Sequence, residues 1–203
     1  MAYEHDIFIS YSRVGATSSW LEKHLVPMLE ERLNLELGRR SSIFFDKELS
    51  TGGTWPVDLG HHLGRSRILL ALWSKPFLHS DWCAREISIM RAREQSLQLR
   101  TPENPNGTIA ISVIHDGENM PHELGMIQQF EIKDYYNTRM TRESALAEAL
   151  YERISDEAVS LARMIENVPP FQEEWPLEAA DAFFDEFFQS TPMRQTAPPR
   201  FSI

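Results

Sequence analysis

The run Ile68-Leu69-Leu70-Ala71-Leu72-Trp73 constrains this chain most, because it is apolar at every position. A strand with one wet face alternates apolar and polar side chains, whereas a strand apolar throughout must be covered on both faces. Asp6-Ile7-Phe8-Ile9-Ser10-Tyr11, Ser42-Ile43-Phe44-Phe45 and the stretch from Thr108 to Ile114 have the same character, and a weaker fifth strand is expected around Gln129 to Ile132. Segments of helical spacing stand between them. The first carries Leu21, Leu25, Met28 and Leu33, with Pro27 inside it as either a kink or a boundary. The second runs from Pro56 to Leu63. A third opens at Ser80 or Asp81 and runs to about Leu97, with Ile87, Met90 and Leu97 inward. The last spans about Arg142 to Asn167, with Leu146, Leu150, Ile154, Leu161 and Ile165 near a period of 3.6. Such alternation specifies an α/β fold: a three-layer sandwich whose five-stranded parallel sheet has helices on both faces. The flavodoxin-like strand order 2-1-3-4-5 is expected, with its ligand crevice between strands one and three.

The chain divides near Pro169-Pro170. Residues 1–170 are expected to form one compact domain, and 171–203 an acidic amphipathic extension with a flexible tail from Ser190. Glu173 to Gln189 holds six carboxylates, no basic residue and the pairs Phe183/Phe184 and Phe187/Phe188, so it could pack back on the domain or bind another protein. A net charge of −10 argues against nucleic-acid and acidic-membrane binding. No apolar run approaches the roughly 18 residues that span a bilayer. The start is charged and unlike a signal peptide, and the one cysteine, Cys83, forbids an internal disulfide. A cytoplasmic location is expected.

The crevice gathers the chemistry. Tyr11, Ser12 and Arg13 follow the first strand, and Asp46 opens a polar loop, with Gly52-Gly53, after the second. The connection after the third strand carries Ser74 and leads to Trp82 and Glu86, an i, i+4 pair on one helix face. A flat aromatic surface and one carboxylate thus stand where open α/β sheets take ligands. Gly52-Gly53 lacks the Gly-Lys-Ser/Thr ending of a phosphate loop. Cys83 reads as a small buried residue rather than a nucleophile. The seven histidines show no ligand spacing, and adjacent His61 and His62 point to different helix faces, so no metal is expected.

Three motifs in register then carry a resemblance. Asp6-Ile7-Phe8-Ile9-Ser10-Tyr11-Ser12, Phe45-Asp46 with Gly52-Gly53, and Leu72-Trp73-Ser74-Lys75-Pro76-Phe77 followed by Ser80-Asp81-Trp82-Cys83-Ala84-Arg85-Glu86 resemble a TIR (Toll/interleukin-1 receptor) domain from about Tyr3 to Pro170. The match looks most like bacterial members, whose NAD+-cleaving representatives carry Trp-x-x-x-Glu, here Trp82 to Glu86.

The resemblance implies an NAD+ glycohydrolase or ADP-ribosyl cyclase, most plausibly in anti-phage defence. NAD+ would be the substrate, with no further cofactor. Glu86 would be catalytic. Tyr11 and Arg13 would line the nicotinamide and ribose side, Asp46 and the following loop would border the site, and Trp82 would shape it or stack on the ligand. Ser12 stands where some NAD+-cleaving relatives have a second basic residue. Head-to-tail TIR–TIR self-association, filaments included, and a cognate defence effector or sensor are the implied partners. Two other classes stay open: a non-catalytic TIR scaffold or mimic in signalling, and a flavodoxin-like phosphoacceptor or flavin protein, which fits the fold but not the motifs.

Overall fold

The computed structural model describes residues 2–46, 55–115, 120–127, 129–173 and 177–185. In chain order the elements are β1 (His5–Tyr11), α1 (Thr17–Trp20), a π-helical turn (Leu21–Leu25), α2 (Val26–Leu37), β2 (Ile43–Phe45), α3 (Trp55–Gly64) and β3 (Ser66–Trp73). There follow α4 (Lys75–Leu78), α5 (Asp81–Ser96), β4 (Ile109–Val113), α6 (His122–Gly125), β5 (Gln129–Glu131), a 3-10 turn (Lys133–Tyr135), α7 (Ala145–Asn167) and α8 (Leu177–Phe184). The five strands form one parallel sheet in the order β2-β1-β3-β4-β5. The fold class and strand order are those the apolar runs imply. Gly52-Gly53, Phe187/Phe188 and the tail from Ser190 lie outside the described residues.

The period of two along each strand divides the core. Ile7, Ile9, Tyr11, Ile68, Leu70 and Leu72 face one side and pack with Trp20, Leu25, Leu33, Leu150, Ile154 and Leu161. Phe8, Leu69, Ala71, Trp73, Ile111 and Val113 face the other and pack with Phe77, Ile87, Met90 and Leu124. Each Ile, Leu, Val, Phe or Met among them contributes about 1.5–3 kcal/mol on burial. The two-sided requirement read from strand three is therefore literal: every residue from Ile68 to Trp73 is at 0% exposure.

Local chemistry sets the helix ends. Pro27 lies inside one continuous helical run, Thr17 to Leu37, and marks the point where it changes form: the Val26 N–H reaches back to Leu21 O, closing a π turn just before the proline, and α2 continues from there. The last long helix begins at Ala145 rather than near Arg142, because the Ser144 hydroxyl accepts from the Ala147 N–H at 3.2 Å and fixes the N-cap. α8 packs back along α5. Phe184 enters the core on that side, the Arg85 guanidinium lies 4.6 Å from its ring centroid, and Arg85 also reaches Asp181 at 3.2 Å.

At its other end α5 is held by Glu94, which is 1% exposed. Its carboxylate accepts from the backbone N–H groups of Thr108 (2.5 Å) and Ile109 (3.1 Å), and pairs with Arg100 at 2.8 Å and Arg91 at 3.1 Å. This ties the end of α5 to the start of β4. Gly107 makes room for it, since a Cβ there would lie 2.3 Å from the Arg100 guanidinium carbon. Glu94→Ala leaves two buried N–H groups and two cations without their acceptor. It is expected to destabilise the domain by about 3–5 kcal/mol in urea unfolding, and a loss below about 1 kcal/mol would show the clamp to be idle.

Candidate functional site

A cleft of about 500 Å³ opens at the carboxyl ends of β1 and β2, against the N-terminal turns of α5. That volume lies within the usual range for small-molecule sites. Phe8, Ile9 and Ser10 form part of its wall, Tyr11 and Arg13 continue it, Asp46 comes from the end of β2, and Ser80, Trp82, Cys83 and Glu86 come from α5 and its cap. The parallel pairing of β1 with β3, Tyr11 opposite Leu72, brings these segments together.

α5 starts where it does because the Ser80 hydroxyl accepts from the Cys83 N–H at 3.3 Å. That cap sets the rotation of the helix and therefore where the i, i+4 pair points. Glu86 is 7% exposed and lines the cleft, while Trp82, 41% exposed, stands one turn nearer the solvent. Burial pushes the Glu86 carboxyl up to about 7, against the opposing effects of the Ser10 hydroxyl and the positive charge of Arg13. The carboxyl thus changes charge near neutrality. Ser10 is 1% exposed, its hydroxyl makes no hydrogen bond of ordinary geometry among the described residues, and it stands near enough to Glu86 to favour the ionised carboxyl.

The opposite wall is braced by Asp46. The Tyr11 hydroxyl donates to the Asp46 backbone carbonyl, and the Asp46 carboxylate forms an ion pair with Arg13. Tyr11 is 7% exposed, so its ring is held in place, whereas the Arg13 side chain is about half exposed at the mouth.

Of the residues singled out in the sequence, Tyr11, Arg13, Asp46, Trp82 and Glu86 line this cleft. Ser74 is not among its lining residues. Its hydroxyl accepts from the Phe77 N–H at 3.3 Å and caps α4, a helix the sequence reading took for a plain connection. Cys83 is buried at 3% exposure and belongs to the core under α5. Ser12 is 7% exposed. Ser10 also lines the cleft and was not singled out in the sequence, where it reads as a core hydroxyl of a strand buried on both faces.

A family model described as TIR domain matches residues 7–154. No curated protein matches the chain significantly. Among solved structures, the TIR domains in the structure of the activated Roq1 resistosome directly recognizing the pathogen effector XopQ are 15% identical, with a TM-score of 0.35, over 79% of this chain and 84% of that chain. The family match runs from β1 into α7, well over half of the chain, and the protein belongs to the TIR domain family.

Proposed function

We propose that this TIR domain cleaves the bond between nicotinamide and ribose in NAD+, releasing nicotinamide and leaving ADP-ribose or a cyclic ADP-ribose, in bacterial anti-phage defence. The observation that carries this reading is Glu86, a single buried carboxyl in a cleft with an aromatic rim and an arginine at its edge. Cleavage sends the electron pair of the C–N bond to the pyridinium nitrogen, so nicotinamide departs neutral and needs no general acid. Positive charge develops on the ribose. One carboxylate beside the ribose suffices to stabilise it, and a carboxylate in a site of low dielectric does so more strongly than one in water. Water then attacks the anomeric carbon and loses its proton to give ADP-ribose; an atom of the same molecule attacking instead gives the cyclic product. Tyr11 and Trp82 offer aromatic faces to flat rings, each worth on the order of 1 kcal/mol, and Arg13 offers a guanidinium to phosphate. The positive charge of the nicotinamide ring beside it also favours the ionised form of Glu86.

Nicotinamide release should be followed by chromatography and mass at high protein concentration, which favours self-association. Glu86→Ala and Glu86→Gln are each expected to lose about 100-fold or more in rate. Equal cleavage by wild type and variants would remove Glu86 from the chemistry, and inert wild type in assembled form would favour the scaffold reading.

The active form is the carboxylate, so kcat/KM should rise with pH through about 7 and then level. Ser10 favours the ionised form, so Ser10→Ala should move that midpoint upward. A midpoint that stays put in Ser10→Ala would mean that Ser10 is only packing.

The same carboxyl affects stability with a fixed sign. Its folded pKa of about 7 lies above the ordinary 4.5, so the folded chain holds a proton that the unfolded chain releases, and stability falls as pH rises between the two. Glu86→Gln removes this penalty. In thermal unfolding it should match wild type near pH 4 and exceed it by on the order of 3 kcal/mol above about pH 8. A variant less stable than wild type at alkaline pH would contradict the assignment of Glu86 as a strained, buried acid.

A further inference from the structure

At the amino ends of the same strands, far along β1 from the cleft, lies a second group of side chains that the proposed chemistry does not use. His5 begins β1 and His62 lies in α3. His5 Nε2 and His62 Nδ1 are 3.1 Å apart, at hydrogen-bond distance, and Glu4, His5 and His62 each offer one ligand atom within 4.8 Å of the other two. We infer that Glu4, His5 and His62 form a binding site for a divalent transition-metal ion of the zinc type, with the fourth position open to water.

The argument is one of spacing and donor type. Two imidazoles on a tetrahedral zinc ion, at Zn–N of about 2.0–2.1 Å, hold their nitrogens about 3.3 Å apart. The observed spacing is within a few tenths of an ångström of that. Two histidines and a carboxylate are a donor set zinc accepts in open sites. The surroundings orient the donors. His5 Nδ1 lies 3.1 Å from Ser42 Oγ, which leaves Nε2 as the nitrogen facing His62, and a hydrogen-bonded second nitrogen is what metal-bound histidines ordinarily have. The His62 ring stacks on Phe44 with centroids 4.1 Å apart, which fixes the direction of Nδ1. Arg65 pairs with Glu4 Oε1, while Oε2 lies 3.9 Å from Nε2 of the neighbouring His61. A carboxylate has two oxygens, so Glu4 could ligate through one while Arg65 keeps the other. Glu4 is exposed and the two histidines half-buried, which leaves the ion a path from solvent. Bound there, an ion would tie α3 to β1.

Equilibrium dialysis of the metal-stripped chain against Zn2+, with visible spectra of the Co2+ form, tests this. One ion per chain, a tetrahedral Co2+ spectrum and a rise in Tm on adding Zn2+ are expected. His5→Gln and His62→Gln should each weaken binding by more than about 100-fold, and Ser42→Ala by roughly 10-fold through loss of orientation. His122→Ala, which alters a distant histidine, should change nothing. Tm measured without metal separates loss of a ligand from loss of fold, and a variant that misfolds is replaced by Glu4→Gln, expected to abolish the tetrahedral spectrum. No saturable uptake by folded wild type, or uptake that survives the double histidine variant, overturns the site.

Discussion

The pairing of β1 with β3 is the constraint on which the rest depends. Its register runs from His5 opposite Ser66 to Tyr11 opposite Leu72. Side chains alternate along a strand, so a slip of one residue would exchange the two faces and move Ile7, Ile9 and Tyr11 into the layer that now holds Phe8. The sequence forbids this, because each layer is shaped for its own set. The same register places Ser10 and Tyr11 beside the turns that lead into α5, and at the opposite end sets His5 near the helix that precedes β3. The candidate cleft and the histidine cluster, at the two ends of one strand, are placed by one hydrogen-bonded ladder.

The fold was legible because its main signal was redundant. Four apolar runs, each separated by a helical period, leave few architectures open, and the order follows from the topology such runs ordinarily adopt. Boundaries were less legible where one hydroxyl decides them: Ser144 moved the start of α7, and Ser74 created α4 out of what read as a connection. Pro27 was ambiguous because a missing N–H is compatible with several local solutions, and the π turn before it is the one taken.

The candidate cleft was legible only in part, for a physical reason. Tyr11, Arg13, Asp46, Trp82 and Glu86 could be placed near one another by strand order alone. Ser10 could not be distinguished from a core hydroxyl until its neighbour was known, and Ser74 was drawn to the site by proximity in sequence while its hydroxyl turned to the backbone. The histidine cluster was invisible to spacing, because His5 and His62 meet through the sheet and not along a helix.

α5 carries two buried carboxyls two turns apart, and the contrast between them separates framework from function. Glu94 accepts two backbone N–H groups and two arginines, so its negative charge is fully matched and its position fixed. Glu86 is almost as deeply buried, yet its neighbours offer one serine hydroxyl and the field of an arginine already paired with Asp46. A carboxyl so placed is costly to ionise and gains little from its own protein. The matching it lacks can be supplied by a cationic group entering the cleft, and a rigid helix, clamped at one end by Glu94 and capped at the other by Ser80, keeps it waiting at a fixed point. Stability surrendered at Glu86 is offset by the packing of α5 against the sheet and α8, and on the proposed reading it would be recovered as interaction with the positive charge of a bound ligand.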